Sequence, residues 1–207
     1  LLKDIVAEAS PKSKMAYAIF ESNNNIDLGL SKLAITIKGF EVELLNGNPV
    51  KGKEYSKSCI GCHGKNFSGI ISERTPSLPQ LSNWYMQGQL QKYKQNILGY
   101  RVEDSDGYSM SSLMKNYSNQ QIADMVSYIK TLQPRKQLNI LHGDLENGKI
   151  QYQLNCMACH QKNGKGNKQL HAPNLVGLSD LYIVNQLIKY RDGIRGSGNG
   201  DKHGKVM

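Results

Sequence analysis

The sequence predicts an all-α protein built from two tandem copies of one small helical unit. The second copy lacks its last helix, and an N-terminal extension over residues 1–50 precedes the first. Three observations carry this prediction. A shift of 97 positions lays Cys59, Cys62 and His63 on Cys156, Cys159 and His160. The same shift lays Pro76, Leu78, Leu81 and Ser82 on Pro173, Leu175, Leu178 and Ser179, and Gly107 and Met110 on Gly204 and Met207. Between these anchors the apolar residues follow helical spacing, bounded by capping residues and glycines.

The elements follow in chain order. Leu33, Ile35 and Ile37, then Phe40, Val42 and Leu44, alternate as in a strand before the turn signal Asn46-Gly47. That pattern fits a short hairpin, an arm packed on the first unit, or the end of a further domain. "GKEYSKSCIGCH" and "NGKIQYQLNCMACH" read as short helices leading into each cysteine motif. Ser82 and Ser179 are placed to cap helices through "NWYMQGQLQKYKQ" and "DLYIVNQLIKYRD", the second ending at Gly193. Tyr85, Gln89, Leu90, Lys92 and Tyr93 on the first helix repeat as Tyr182, Gln186, Leu187, Lys189 and Tyr190 on the second. Ser118 and Gln121 have the capping-box form, and Ile122, Met125, Val126 and Ile129 follow at helical spacing in a helix over 119–132. The first unit therefore spans 51–133, Pro134 opens a linker over 134–143, and the second unit spans 144–207. The second unit has no counterpart of the 119–132 helix, so a continuation of the chain or a partner is expected to complete it.

Composition narrows the function. The chain has 39% hydrophobic residues and a mean hydropathy of −0.51. No apolar run approaches the roughly 18 residues of a membrane helix, so no transmembrane segment is expected. It opens on Leu1 with no signal-like segment and reads as a processed or trimmed product. The net charge of +9 lies on the two cysteine-bearing units: −1 over 1–50, +6 over 51–141 and +4 over 142–207. No basic run interleaves with aromatics, which argues against nucleic acid and for an acidic protein partner. Lys51, Lys53, Lys57, Lys65, Lys162, Lys165 and Lys168 flank the motifs and would form its docking surface.

All four cysteines are spent on "CIGCH" and "CMACH". A structural disulfide needs no adjacent histidine. One copy could be a redox dithiol or half of a zinc site, but two copies in register with downstream Pro and Met fit neither well. Covalent haem does need this order: Cys59, Cys62, Cys156 and Cys159 would form thioethers to two haem c groups, with His63 and His160 as proximal ligands. An iron-bound imidazole donates its other N–H to an acceptor that fixes the ring. Pro76 and Pro173, each 13 residues after its histidine, would offer that carbonyl. Met110 and Met207, each 47 residues after its histidine, are the sixth-ligand candidates. Met114 competes for the first iron and His203 for the second. Arg101, Arg191 and Arg195 could pair with propionates or lie on the surface, and His142 and His171 read as surface or linker residues. Trp84 and the repeated tyrosines read mainly as core packing.

With "CIGCH" and "TPSL", "YSMSSLMKNYSNQQIADMVSYIKTL", the "CMACHQKNGKGNKQLHAPNLVGLSD" stretch and the closing "HGKVM", the chain resembles the class I c-type cytochromes, specifically the dihaem cytochrome c4-like group, over about residues 50–207. In that family a methionine stands seven residues before the aromatic residue that precedes the capping serine. Met110, Tyr117 and Ser118 match this, which favours Met110 over Met114. The resemblance implies two helical haem domains that pass electrons along the bacterial periplasm, often to a terminal oxidase. The expected function is a non-enzymatic electron carrier with two His/Met haems. The rivals are a cytochrome subunit of a larger respiratory complex and a dihaem peroxidase or thiosulfate-oxidising enzyme. Thioether attachment occurs outside the cytoplasm, so the expected site of action is the periplasm or an outward membrane face.

Overall fold

The computed structural model describes residues 40–135 and 137–207. Among them the regular structure is helical, with a single isolated β-bridge between Asn167 and Ala172. In the first unit, α1 (Pro49–Tyr55) runs through a 3-10 turn (Ser56–Cys59) into α2 (Ile60–His63). A second 3-10 turn (Leu78–Gln80) precedes α3 (Asn83–Lys94), followed by α4 (Ser105–Met114) and α5 (Asn119–Ile129). The second unit repeats this start with α6 (Leu145–Asn155), α7 (Met157–His160) and α8 (Asp180–Arg191), then a 3-10 turn (Gly204–Val206).

Local chemistry sets these boundaries. Asn48 caps α1 by accepting from Val50 and Lys51 N–H, with Pro49 in the first turn, where a missing N–H is harmless. Ser118 and Gln121 form the reciprocal capping box of α5. Ser179 caps α8 through Tyr182 N–H at 3.2 Å, whereas the buried hydroxyl of Ser82 has no partner at the start of α3. α5 ends at Ile129, earlier than expected, and a turn carries the chain on towards Pro134.

α5 is the keystone of the first unit. Its face of Ile122, Met125, Val126 and Ile129 is at most 2% exposed, and it packs chiefly on α1 and also on α3. Gly52 lets α1 meet the α5 backbone, since a β-carbon there would collide with the Asp124 carbonyl. Phe67, Leu81 and Met86 join Val126 and Ile129 in one cluster, which reaches the second unit through Leu178, Tyr182 and Ile183. Among the described residues no helix of the second unit takes the place of α5, and α6 and α8 bury no residue fully.

The strand-like reading of the extension is corrected. Leu33, Ile35 and Ile37 lie outside the described residues, and Phe40, Val42 and Leu44 lie in an irregular segment. Residues 40–48 form an arm on α3. Glu43 and Leu45 N–H donate to Gln91 and Gln87 Oε1 at 3.1 and 3.0 Å. The same amides donate back to the Glu43 and Leu45 carbonyls at 2.7 and 3.0 Å. Two glutamine side chains one turn apart thus stand in for a neighbouring strand, satisfying backbone groups that would otherwise need a sheet. Their counterparts on α8 are Val184 and Ile188, which cannot bond a backbone in this way.

The linker is not loose. Gln137 is 6% exposed, and its Oε1 accepts from Ser77 N–H of the first unit and Ser179 N–H of the second. Its Nε2 donates to the Thr75 carbonyl at 3.0 Å.

Candidate haem sites

In each unit a one-turn helix capped by the first cysteine and carrying the second ends at the histidine, and the next residue turns the chain sharply: Gly64 at φ +77° and Gln161 at φ +64°. Gln161 holds a conformation that residues with a β-carbon rarely adopt, and its carbonyl is gripped by the Tyr152 hydroxyl at 2.7 Å. The chain then folds back: Gly69 N–H donates to the His63 carbonyl at 3.0 Å and Gly166 N–H to that of His160 at 3.1 Å. Both glycines have positive φ and pass directly against the proline backbone, where a β-carbon does not fit. This return carries Pro76 and Pro173 to their histidines.

His160 Nδ1 lies 3.0 Å from the Pro173 carbonyl, which fixes Nδ1 as the protonated nitrogen and leaves Nε2 for a metal. In the first unit the Pro76 carbonyl lies near enough to favour a protonated ring, yet His63 Nδ1 falls short of hydrogen-bond geometry with any group. Both histidines are buried, and burial pushes their pKa values down, against the proline carbonyls. The neutral imidazole, the ligating form, is therefore favoured.

No disulfide joins any two of the four cysteines. Burial pushes Cys59, Cys156 and Cys159 up, the opposite of a reactive redox dithiol. Among the described residues no group of three or more His, Cys, Asp or Glu could hold a metal, so a zinc site has no ligand set there.

The sixth-ligand candidates lie on separate elements from the histidines. Met110 is partly buried on α4, which packs against α3. Met114, its competitor, is 1% exposed and packs with Ile122 and Met125 in the core. Met207 follows the last 3-10 turn and is 44% exposed. His203 stacks on His171 at 3.7 Å, and the edge of Trp84 meets His171 at 6.0 Å. His171 is an exposed residue as expected, but its stacking partner sits 32 positions on and left no local signal.

Sequence reasoning left Arg195 undecided between propionate and solvent. It is a buried cation at the junction of the units, donating to the Tyr85 hydroxyl at 3.0 Å, Gln89 Oε1 at 2.8 Å and Gln186 Oε1. The Tyr190 ring covers its guanidinium at 4.9 Å. Its Nε is buried without a partner, as is Arg101 Nε, and no carboxylate among the described residues pairs with it. A buried cation with an orphaned N–H calls for an anion. Haem propionates would be suitable anions, so thiols, neutral imidazoles and orphaned guanidinium donors together fit the group.

Comparison with known proteins agrees. The family model for cytochrome c matches residues 49–133 and 145–207. Cytochrome c4 of Azotobacter vinelandii is 27% identical over 171 residues, 75% of this chain and 77% of the relative. The cbb3-type cytochrome c oxidase subunit FixP of Azorhizobium caulinodans is 28% identical over 73% of this chain, which spans only 54% of that relative's length. The crystal structure of Pseudomonas stutzeri cytochrome c4 superposes with a TM-score of 0.59 at 23% identity, covering 77% of this chain and 89% of that one. The two repeated units are two haem c domains in tandem, and the chain belongs to the cytochrome c family, among the relatives of dihaem cytochrome c4.

Proposed function

We propose that this chain is an electron carrier of the periplasm, or of an outward membrane face, moving single electrons between respiratory partners. His63 and Met110 ligate one iron, and His160 and Met207 the other. Haem c supplies a one-electron iron couple. The observation that carries this reading is the repetition of the whole ligand frame. In both units a buried histidine is met by a return loop that brings its proline back to it, and a methionine stands six residues after a capping aspartate, on the segment that aspartate caps.

The protein's part is to hold and to dock. His160 is oriented by Pro173, and the return loops through Gly69 and Gly166 keep both frames from drifting. Thioether ligation raises the potential and closes the iron to small molecules, which suits a carrier rather than a peroxidase or thiosulfate-oxidising enzyme. Lys51, Lys53, Lys57, Lys65, Lys162, Lys165 and Lys168 are all exposed around the motifs, and Cys62 is exposed beside them. This arrangement suits an acidic partner meeting a haem edge, with rates that fall as salt rises.

A second reading is supported by the likeness to FixP: the chain could serve as a cytochrome subunit of a larger respiratory complex. Among the described residues no helix is long and apolar enough to cross a membrane. Optical redox titration of the purified holoprotein tests the proposal. Two low-spin haems with the thioether-to-iron charge-transfer band, and no reaction with carbon monoxide, are expected; a readily liganded haem would refute the carrier. Stable co-purification with oxidase subunits would select the second reading.

A further inference from the structure

The junction of the two units contains a reciprocal pair of buried ion pairs. Lys92 on α3 reaches across to Asp201 of the second unit, Nζ to Oδ1 at 2.6 Å. Lys189 on α8 reaches across to Asp104 of the first unit, Nζ to Oδ1 at 2.5 Å. The 97-residue shift converts one pair into the other, so the contact is made twice about a pseudo-twofold relation. All four side chains are at most 13% exposed.

Each aspartate has a second task. Asp104 caps α4, accepting from Gly107 N–H at 3.1 Å, and Asp201 does the same for the last 3-10 turn through Gly204 N–H at 3.2 Å. A β-carbon on Gly107 or Gly204 would collide with the capping carboxylate, which accounts for the repeated glycine. Met110 and Met207 each lie six residues beyond their aspartate on the segment it caps. A buried carboxylate without its counter-ion is costly, so the cap depends on the lysine of the other unit.

We propose that Lys92 and Lys189 are crossed positioning residues: each, from its own unit, holds the capped segment bearing the other unit's methionine ligand. The two iron sites are thereby linked through the interface. Lys92 serves the haem of His160 and Met207, and Lys189 serves that of His63 and Met110. This rests on the methionine ligation proposed above. Lys189 also lies 3.5 Å from the exposed Asp106, a contact absent at His203, its counterpart. The first unit's segment is thus held by one more charge than the second's.

The test uses the holoprotein with Lys92→Met and Lys189→Met made separately. Each haem's signal is identified from Met110→His and Met207→His references. The readouts are the charge-transfer band of each haem and its binding of added imidazole, which competes with the methionine. Lys92→Met should weaken the band of the second haem and raise its imidazole affinity by about tenfold, the factor matching one lost cap-strength interaction, while leaving the first haem unchanged. Lys189→Met should show the mirror result. Asp201→Asn keeps a capping oxygen, and Lys92→Met/Asp201→Asn removes both buried charges, so the double variant should recover most of the band. Effects confined to the variant's own unit, equal effects on both haems, or no effect would overturn the crossed arrangement. A wild-type protein lacking the band in either haem would instead overturn the methionine reading beneath it.

Discussion

Gly166→Ala tests how the second histidine is held. Gly166 sits at φ +78°, where a residue with a β-carbon costs roughly 1–2 kcal/mol. The new carbon would lie 2.6 Å from the Pro173 carbonyl oxygen. An ordinary C···O contact is roughly 3.3 Å, so the carbonyl must recede by about 0.7 Å. That stretches the 3.0 Å bond to His160 Nδ1 beyond hydrogen-bond range. Losing it removes about 0.5–1.5 kcal/mol. The bond makes the imidazole a stronger donor, which favours the oxidised iron. Its loss should raise the potential of the second haem by about 20–60 mV, at about 59 mV per tenfold for one electron. Gly69→Ala should do less, because His63 Nδ1 has no such bond to lose. Protein-film voltammetry of the holoprotein reads both haems at once, each its own control. A second-haem potential that falls or stays, with the protein folded, would refute the role given to Pro173.

The arm offers a second check. Gln87→Val with Gln91→Ile, the residues of the equivalent positions on α8, removes four hydrogen bonds to residues 43 and 45. At a net worth of about 2 kcal/mol or more together, amide exchange at Glu43 and Leu45 should speed up at least ~30-fold while haem spectra stay unchanged. Ile122→Ala, at a site with no exposed surface, should cost about 2–5 kcal/mol in denaturant unfolding. Burial, with His171 and Lys92 nearby, holds His203 down to about 4 from 6.5. The unfolded chain then binds the extra proton between those values, so stability should fall as pH drops from about 6.5 to about 4. His203→Gln should flatten that slope in pH-dependent melts.

Much of the fold was legible because short-range rules govern it. The capping box at Ser118, the helices after Ser82 and Ser179, and α5 all announce themselves through local spacing. α4 does not: "SDGYSMSSLM" has weak helix formers and no apolar stripe, and it is held by the Asp104 cap and by packing on α3. The strand-like alternation at 40–44 misled because extended backbone can be satisfied by Gln87 and Gln91 side chains as well as by a sheet.

By itself the sequence carried the haem-attachment motif, Cys-x-x-Cys-His at two places, with a proline and a methionine at equal offsets as ligand-frame candidates and basic charge around them. Covalent haem attachment depends on residue type and order, which the chain carries directly. Only the tertiary structure decided how the units meet. Lys92 with Asp201, Lys189 with Asp104, Arg195 with Tyr85 and Gln89, and Gln137 between Ser77 and Ser179 join residues 42 to 110 positions apart. Such pairings arise from the docking of finished elements, where desolvation makes a buried charge find its partner, and no local pattern records which partner that is.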